Sequence, residues 1–253
     1  MTAYIIRRLL ATIPVMVVVA IFVFLLLHLT PGDPAAVIAG DDATPEAVDG
    51  IRTKLGLDQP IHVQFGIYAA NLLRGDLGTS IFSNLPVLTL VKQRLEPTLV
   101  LAASTLVMAV LLAIPMGVLA AWKARTFIDR LVMGFSVLGF AVPGFLVGYL
   151  LIYVFAIELK WLPVQGYRPL SQGIDQTARS IILPALALSM AYMALIARMT
   201  RASMLDVLSQ DYIRTAKAKG VATLIVLLRH ALKNAAVPIV TVIGIGLTLL
   251  ISG

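Results

Sequence analysis

Cysteine is absent from the 253 residues, so neither disulfides nor thiolate metal sites are available to the chain. Histidine is scarce. His28, His62 and His230 stand far apart, which suits surface or interfacial positions and offers no metal site. Charge is thin as well, at 13% Asp, Glu, Lys and Arg, and long stretches carry none. No phosphate-binding loop ending in GK[ST], no catalytic triad and no paired-carboxylate site is discernible, which argues against nucleotide or hydrolytic chemistry within this chain.

What the chain has in abundance is apolar side chains, at 59% of residues, with a mean hydropathy of +0.94. A soluble core needs far less. Uncharged runs cover Leu9–Leu27, Pro97–Ala121, Leu131–Ile157, Ser180–Ala197 and Ala235–Gly253. Each is about as long as a helix that crosses a hydrocarbon core of roughly 30 Å. The runs are continuously apolar rather than alternating, which excludes a strand barrel, and unpaired backbone groups in lipid leave helices as the open-chain solution. The fold class expected is therefore an all-α membrane protein, a polytopic helix bundle with five spans. The first run follows Arg7 and Arg8, but it is long for a signal peptide and lacks a small-x-small cleavage site, so it reads as a retained helix.

Basic residues orient the bundle. Arg7 and Arg8, then Lys123, Arg125 and Arg130, then seven Lys or Arg between Arg198 and Lys233 mark three cytoplasmic segments, with the N-terminus inside. The inside then carries 12 basic and 3 acidic residues and the outside 8 and 10, so the net charge of +7 follows topology and requires no nucleic-acid partner. Inside the runs there is no Asp, Glu, His or Lys to carry a coupling ion. If transport is uphill, its energy comes from another chain.

Between the first two runs, local signals predict short outer elements. In LTPGDP, Leu29 to Pro34, Asp33 before Pro34 resembles an N-cap with a first-turn proline. TPEAVDGIRTKLG repeats the device: Thr44 caps, Pro45 starts, Val48, Ile51 and Leu55 form a stripe, and Gly56 stops the helix. Arg74 to Ser80 is a glycine-punctuated loop. VLTLVKQRLEPT after Pro86 predicts an interfacial amphipathic helix, with the second span starting at Pro97; Lys92, Arg94 and Glu96 suit a solvated face or substrate contacts. Pro14, Pro115, Pro143, Pro184 and Pro238 predict kinks, and Gly144 and Gly148 have the spacing of closely packed helices. Pro143 and Gly144 together form a candidate gating hinge.

The segment DYIRTAKAKG, Asp211 to Gly220, interleaves basic and small residues. Tyr212, Ala216 and Gly220 fall on one helical face, while Arg214, Lys217 and Lys219 point elsewhere. Gly220 can end the helix. The chain restarts as VATLIVLLRHALKNAAVP, so a helix, a break and a short helix lead into the last run, the shape of a docking element.

RTAKAKG followed by LLRHALKNAAVPIVTVIG resembles the EAA-type loop of ABC importer inner-membrane permeases, in the dipeptide, oligopeptide, glutathione and nickel branch. LTPGDP, KLGLDQPI, GDLGTSI, RLEPTL and TRASMLDVLSQDYIRTAKAKG extend the resemblance over nearly the whole chain. It implies a type I permease: an N-terminal span over 1–29, an extracytoplasmic region over 30–96, and a permease core over 97–253 with a coupling loop at 198–234. It also implies that Arg214, Thr215, Ala216, Lys217, Lys219, Gly220, Val221, Ala222, Thr223 and Leu224 engage a cytoplasmic ATPase subunit. The implied partners are a second homologous permease, two ATPase subunits, an extracytoplasmic solute-binding protein and the lipid bilayer. ATP and Mg would be bound by the ATPases and no cofactor by this chain, which is expected to be a transport subunit and not an enzyme. The expected place is a bacterial or archaeal cytoplasmic membrane.

Two departures qualify the resemblance. VATLIVLL has no charge where the family commonly places some, and the family has six spans, so the sequence is expected to be a truncated or partial version of a longer permease. Short peptides, glutathione among them, are the expected cargo. Nickel or another small solute is the alternative, and an ATP-independent channel or a scaffold subunit the rivals of a different class.

Overall fold

The computed structural model describes residues 2–29, 32–40, 43–80, 83 and 85–252. Thr30 and Pro31 of LTPGDP, and Ile81 of GDLGTSI, lie outside the described residues. Apart from one antiparallel bridge between Thr79 and Pro86, regular structure among the described residues is helical. The chain divides into two compact units, Met1–Gln93 and Arg94–Gly253.

In the first unit, α1 (Thr2–Leu29) keeps only 6% of its most apolar stretch buried. Its anchor is Phe24, whose ring lies 5.3 Å from that of Phe65 and 5.7 Å from that of Tyr68. Both partners belong to α4 (Ile61–Leu73). The predicted caps form. Asp33 accepts from the Ala35 N–H ahead of α2 (Pro34–Ala39), and Thr44 accepts from the Ala47 N–H ahead of α3 (Pro45–Lys54). Arg52 of α3 holds Asp33 at 2.5 Å. The Ala35 N–H first, and the Arg52 guanidinium second, hold the Asp33 carboxyl below the usual carboxylate range. At the other end of α3, Gly56 N–H donates to Thr53 and Leu57 N–H to Arg52 while Gly56 sits at φ +68°, the paired bonds of a Schellman cap. Leu55 lies just past the helix and is exposed, so the stripe narrows to the half-buried Val48 and Ile51.

α5 (Val87–Trp122) corrects one expectation: Pro97 does not begin a helix but lies inside one. The amphipathic segment and the second span are a single rod, because a proline removes one bond without stopping a membrane helix whose neighbours pack around it. A second correction concerns the third run. It is two helices, α6 (Phe127–Ala141) and α7 (Gly144–Leu151, continued as a π-helical stretch Ile152–Glu158), meeting at 102°. Pro143 excludes the helical conformation at Val142, which is extended at ψ 122°. Described helices therefore supply four continuous spans and one broken pair.

α8 (Ile174–Leu208) is the axis of the second unit, packed against α6, α7 and α11. Of its most apolar stretch 44% is buried, twice the share of α5 or of the last span. Its first and last turns extend beyond the uncharged run, so Arg198 to Leu208 is a rigid continuation of the fourth span rather than a flexible connection. In α5 the buried positions Ala109, Ala113, Gly117 and Ala121 repeat every fourth residue. A small-residue ladder of this kind lets helices approach closely, and close van der Waals contact is what holds helices together in lipid. A Cβ at Gly117 would come within 2.5 Å of the Thr200 Cβ. Gly144, by contrast, faces nothing within 4 Å, and a Cβ at Gly148 would meet only that of Ala187 at 3.9 Å, so these two glycines are not the tight contact their spacing suggests.

Candidate functional site

The segment after α8 is built from local rules. α8 ends at Ser209, whose hydroxyl donates to the Asp206 carbonyl at 2.8 Å, and Gln210 turns extended at ψ 150° before α9 (Asp211–Ala218). α9 is fixed to the bundle chiefly by its one fully buried residue. Ile213 is fully buried beside Val226, Leu227 and Ala231 in the core, and Ala216 packs half-buried next to it. The Tyr212 hydroxyl accepts from Asn234 Nδ2 at 2.8 Å, tying α9 to the start of the last span. Arg214 pairs with Asp211 at 3.2 Å on an exposed face, a contact that contributes little.

Gly220 sits at φ +77°, with Gly220 N–H donating to Lys217 and Val221 N–H to Ala216 at 3.0 and 3.2 Å. This is a second Schellman cap, with Ala216 and Val221 both half-buried against the core. Glycine is required here by backbone conformation and not by crowding, since its Cβ position faces nothing within 4 Å. The helix that follows is not a separate short element. α10 (Thr223–Ile225) runs through a π-helical stretch, Val226–Ala231, into α11 (Leu232–Ser252) as one span of 30 residues. The physical reason is the absence of a breaker: no Gly or Pro lies between Thr223 and Val237.

Of the ten residues singled out, Arg214, Thr215, Lys217, Lys219, Gly220, Ala222, Thr223 and Leu224 lie exposed on one continuous turn, while Ala216 and Val221 face inward and hold it. Leu224 is 67% exposed, a large apolar side chain on the surface. Beneath it a groove of about 470 Å³ runs between the end of α5 and residues 223–228, with Pro115, Val118, Trp122 and Leu227 in its walls. The other predicted site, Pro143 and Gly144, lies far along the chain at the bend between α6 and α7.

Two features escaped the reading of the sequence. Asp129, at the start of α6, is 4% exposed and accepts from Arg201 Nε at 2.5 Å, from Arg201 Nη2 at 2.7 Å and from the Arg125 N–H at 2.9 Å. This bidentate pair binds the α5–α6 turn, where Arg125 has φ +66°, to α8. Its signal was a lone acid among the basic residues that open the third run. Ile213 was also missed; an isoleucine between Tyr212 and Arg214 is the one large aliphatic of α9.

Residues 113–253 match the family described as the binding-protein-dependent transport system inner membrane component, and residues 1–102 match its N-terminal counterpart. The chain belongs to this family: it is a multi-pass inner-membrane permease subunit of an ABC importer. Such a subunit works with an ATPase and a solute-binding protein. Among its relatives, the probable peptide ABC transporter permease protein y4tP of Sinorhizobium fredii is 53% identical across the whole chain, which covers 81% of that protein. The glutathione transport system permease protein GsiC of Escherichia coli K12 is 44% identical, again across the whole chain and 80% of the relative. GsiC of Salmonella typhimurium is 43% identical with the same coverage.

Proposed function

We propose that this permease forms half of a translocation pathway for short peptides, glutathione included, and pairs with a second homologous permease. Two ATPase subunits bind and hydrolyse ATP with Mg on the cytoplasmic side, where the N-terminus also lies, and an extracytoplasmic binding protein delivers cargo to the opposite face. This chain binds no cofactor and does no hydrolysis itself. The names of the relatives in Sinorhizobium fredii and Escherichia coli support the cargo class. Closure of the ATPases moves the turn from Arg214 to Leu224, and that movement biases the spans between states that bind cargo differently.

The observation that carries the coupling role is mechanical. The exposed turn has no slack at either side: Ile213 is fully buried in the core, and Thr223 begins the same unbroken helix that ends at Ser252. Force on Leu224 therefore reaches the last span directly. Pro143 and Gly144, at the bend between α6 and α7, serve as the hinge on which the outer half of the pathway moves.

Copurification with the second permease and the ATPases, followed by uptake and ATP hydrolysis with a loaded binding protein, tests the assignment. Gly220→Leu places a side chain at φ +77° and costs about 1–2 kcal/mol in that turn, a roughly 5–30-fold shift in its population. The complex is expected to assemble, with peptide-stimulated hydrolysis and uptake both reduced; Gly220→Asn, which tolerates the left-handed region, loses less. Unchanged uptake by a normally expressed Gly220→Leu protein overturns the coupling role. An active complex that no peptide stimulates overturns the peptide reading alone.

A further inference from the structure

α6 lies against α8 by one face. Its buried residues Asp129, Val132, Ser136 and Gly139 recur every three or four positions, and among them only Val132 is a sizeable apolar side chain. Ser136 donates its hydroxyl to the Val132 carbonyl of its own helix at 2.9 Å. At Gly139 the helices come close, since a Cβ there would lie 3.0 Å from the Met190 carbonyl oxygen and 3.2 Å from the Ala194 Cβ. A face of small residues lets helices approach but offers few knobs to lock their register, and in lipid no hydrophobic force presses one helix on another. Such an interface resists sliding where a directional bond crosses it.

That bond stands at the start of α6. Asp129 Oδ1 accepts from Arg201 Nε at 2.5 Å, and Oδ2 accepts from Arg201 Nη2 at 2.7 Å and from the Arg125 N–H at 2.9 Å. A two-point fork fixes orientation as well as distance. At the far end of α6 the Arg198 guanidinium lies 5.0 Å from the centre of the Phe140 ring. One turn of α8, from Arg198 to Arg201, thus reaches both ends of a 15-residue helix. Stability alone does not account for a buried ion pair, because apolar side chains of similar volume often serve a fold as well or better. What the pair adds is a fixed register between α6 and α8.

The two helices lead to different places. α8 runs without glycine or proline from Ala185 to Leu208, shortly before the coupling turn. α6 ends at Ala141, where Val142 is extended and the chain bends by 102° into α7, with Gly144 facing nothing within 4 Å. We infer that Asp129 and Arg201 are positioning residues of the transport cycle: they make α6 travel with α8 as one body, so that displacement of the coupling turn is delivered to the bend at Pro143. The inference rests on the coupling role proposed for Arg214 to Leu224, and adds a second route beside the direct one into the last span.

The test uses the full transporter in proteoliposomes, with its partner permease, ATPases and binding protein, and reads uptake of glutathione or triglycine per ATP hydrolysed. A merely structural pair would not move that ratio in a variant that keeps its thermal midpoint. Asp129→Leu with Arg201→Met is expected to assemble with a midpoint near wild type, to retain stimulated hydrolysis, and to take up about 2–30-fold less cargo per ATP, the span over which residues on a coupling route act. Arg201→Lys, which keeps the charge without the fork, falls between. A double variant with wild-type uptake per ATP overturns the inference. If Gly220→Leu is impaired in the same assay, the coupling role stands without it; if neither is impaired, both fall. A second measurement needs no cargo. Because this chain has no cysteine, spin labels at Val137→Cys on α6, Ala191→Cys on α8 and Leu150→Cys on α7 report pairwise distances in a complex whose other chains are cysteine-free. When the ATPases bind ATP, the 137–191 distance is expected to hold while the 137–150 distance changes. A changed 137–191 distance, or a fixed 137–150 distance, overturns the inference whether or not the double variant assembles.

Discussion

Replacing Gly117, Gly139 and Gly134 by alanine in turn grades one perturbation across three environments. At Gly117 the new Cβ falls 2.5 Å from the Thr200 Cβ and 2.7 Å from the Ala197 carbonyl oxygen, and neither atom is the free end of a flexible side chain. α5 and α8 must separate, and an overpacked core contact of this kind costs about 2–3 kcal/mol. At Gly139 the nearest atoms are the Met190 carbonyl oxygen at 3.0 Å and the Ala194 Cβ at 3.2 Å, which asks for a shift of tenths of an ångström and costs about 1 kcal/mol or less. Gly134 faces nothing within 4 Å inside α6, so alanine gains up to about 1 kcal/mol of helix propensity. Thermal unfolding of the purified protein reads the series. At about 2–4 °C per kcal/mol, Gly117→Ala lowers the midpoint by about 4–12 °C, Gly139→Ala by little, and Gly134→Ala raises it. Thr200→Ala removes the Cγ2 at 2.8 Å but keeps the Cβ and the Ala197 carbonyl, so the double variant recovers only part of the loss. Equal losses at all three glycines, or full rescue by Thr200→Ala, would refute the claim that helix proximity at the small-residue ladder sets the effect.

Asp129→Ala leaves Arg201 and the Arg125 N–H without their shared acceptor and is expected to cost about 3 kcal/mol, the lower end for a broken buried pair because Arg201 is 26% exposed. Asp129→Leu combined with Arg201→Met should restore most of the midpoint, and a double variant no better than the single one would show that the pair is not the cause. Tyr167 makes an alkaline prediction. Burial first, and the hydrogen bond to Glu96 second, push its phenol up from 10.0 to about 12. Between those values the unfolded chain gives up a proton that the native Tyr167 keeps, so this stabilisation is complete below pH 10 and is lost as pH rises through about 12. Tyr167→Phe should flatten that part of the midpoint-against-pH curve, with tyrosinate absorbance reporting the titration directly; identical slopes would remove the Tyr167–Glu96 contact as the cause.

Features governed by a few consecutive residues were legible in the sequence. The membrane helices follow from long apolar runs, whose backbone can be satisfied in lipid only by helical bonds. The caps at Asp33 and Thr44, and the stops at Gly56 and Gly220, follow from side chains and φ values within one turn of the residue concerned. The exposed turn from Arg214 to Leu224 stood out in the sequence because its small and basic residues are contiguous. Proline was the local signal with an ambiguous outcome: Pro97 is absorbed into a 36-residue helix while Pro143 breaks the chain by 102°. A proline removes the same bond in both places, and only the packing around it decides whether the helix continues.

What tertiary structure alone decided depends on residues distant in sequence. Asp129 and Arg201 are 72 positions apart, and Glu96 and Leu170 are 74 apart. No periodicity connects such partners. The ladder of Ala109, Ala113 and Gly117 became visible only with α5 packed, where Thr200 and Ala197 lie against Gly117. Likewise Gly148 announced a packing contact and instead borders an open cleft between α7 and α8. The sequence by itself determined that the chain crosses the membrane as helices, where it caps them and where Gly220 ends α9 in an exposed turn, because these are bonds between near neighbours. Which helices touch, which charge is neutralised and where space is left open were decided by three-dimensional packing, because contact energy depends on distance in space and not on distance along the chain.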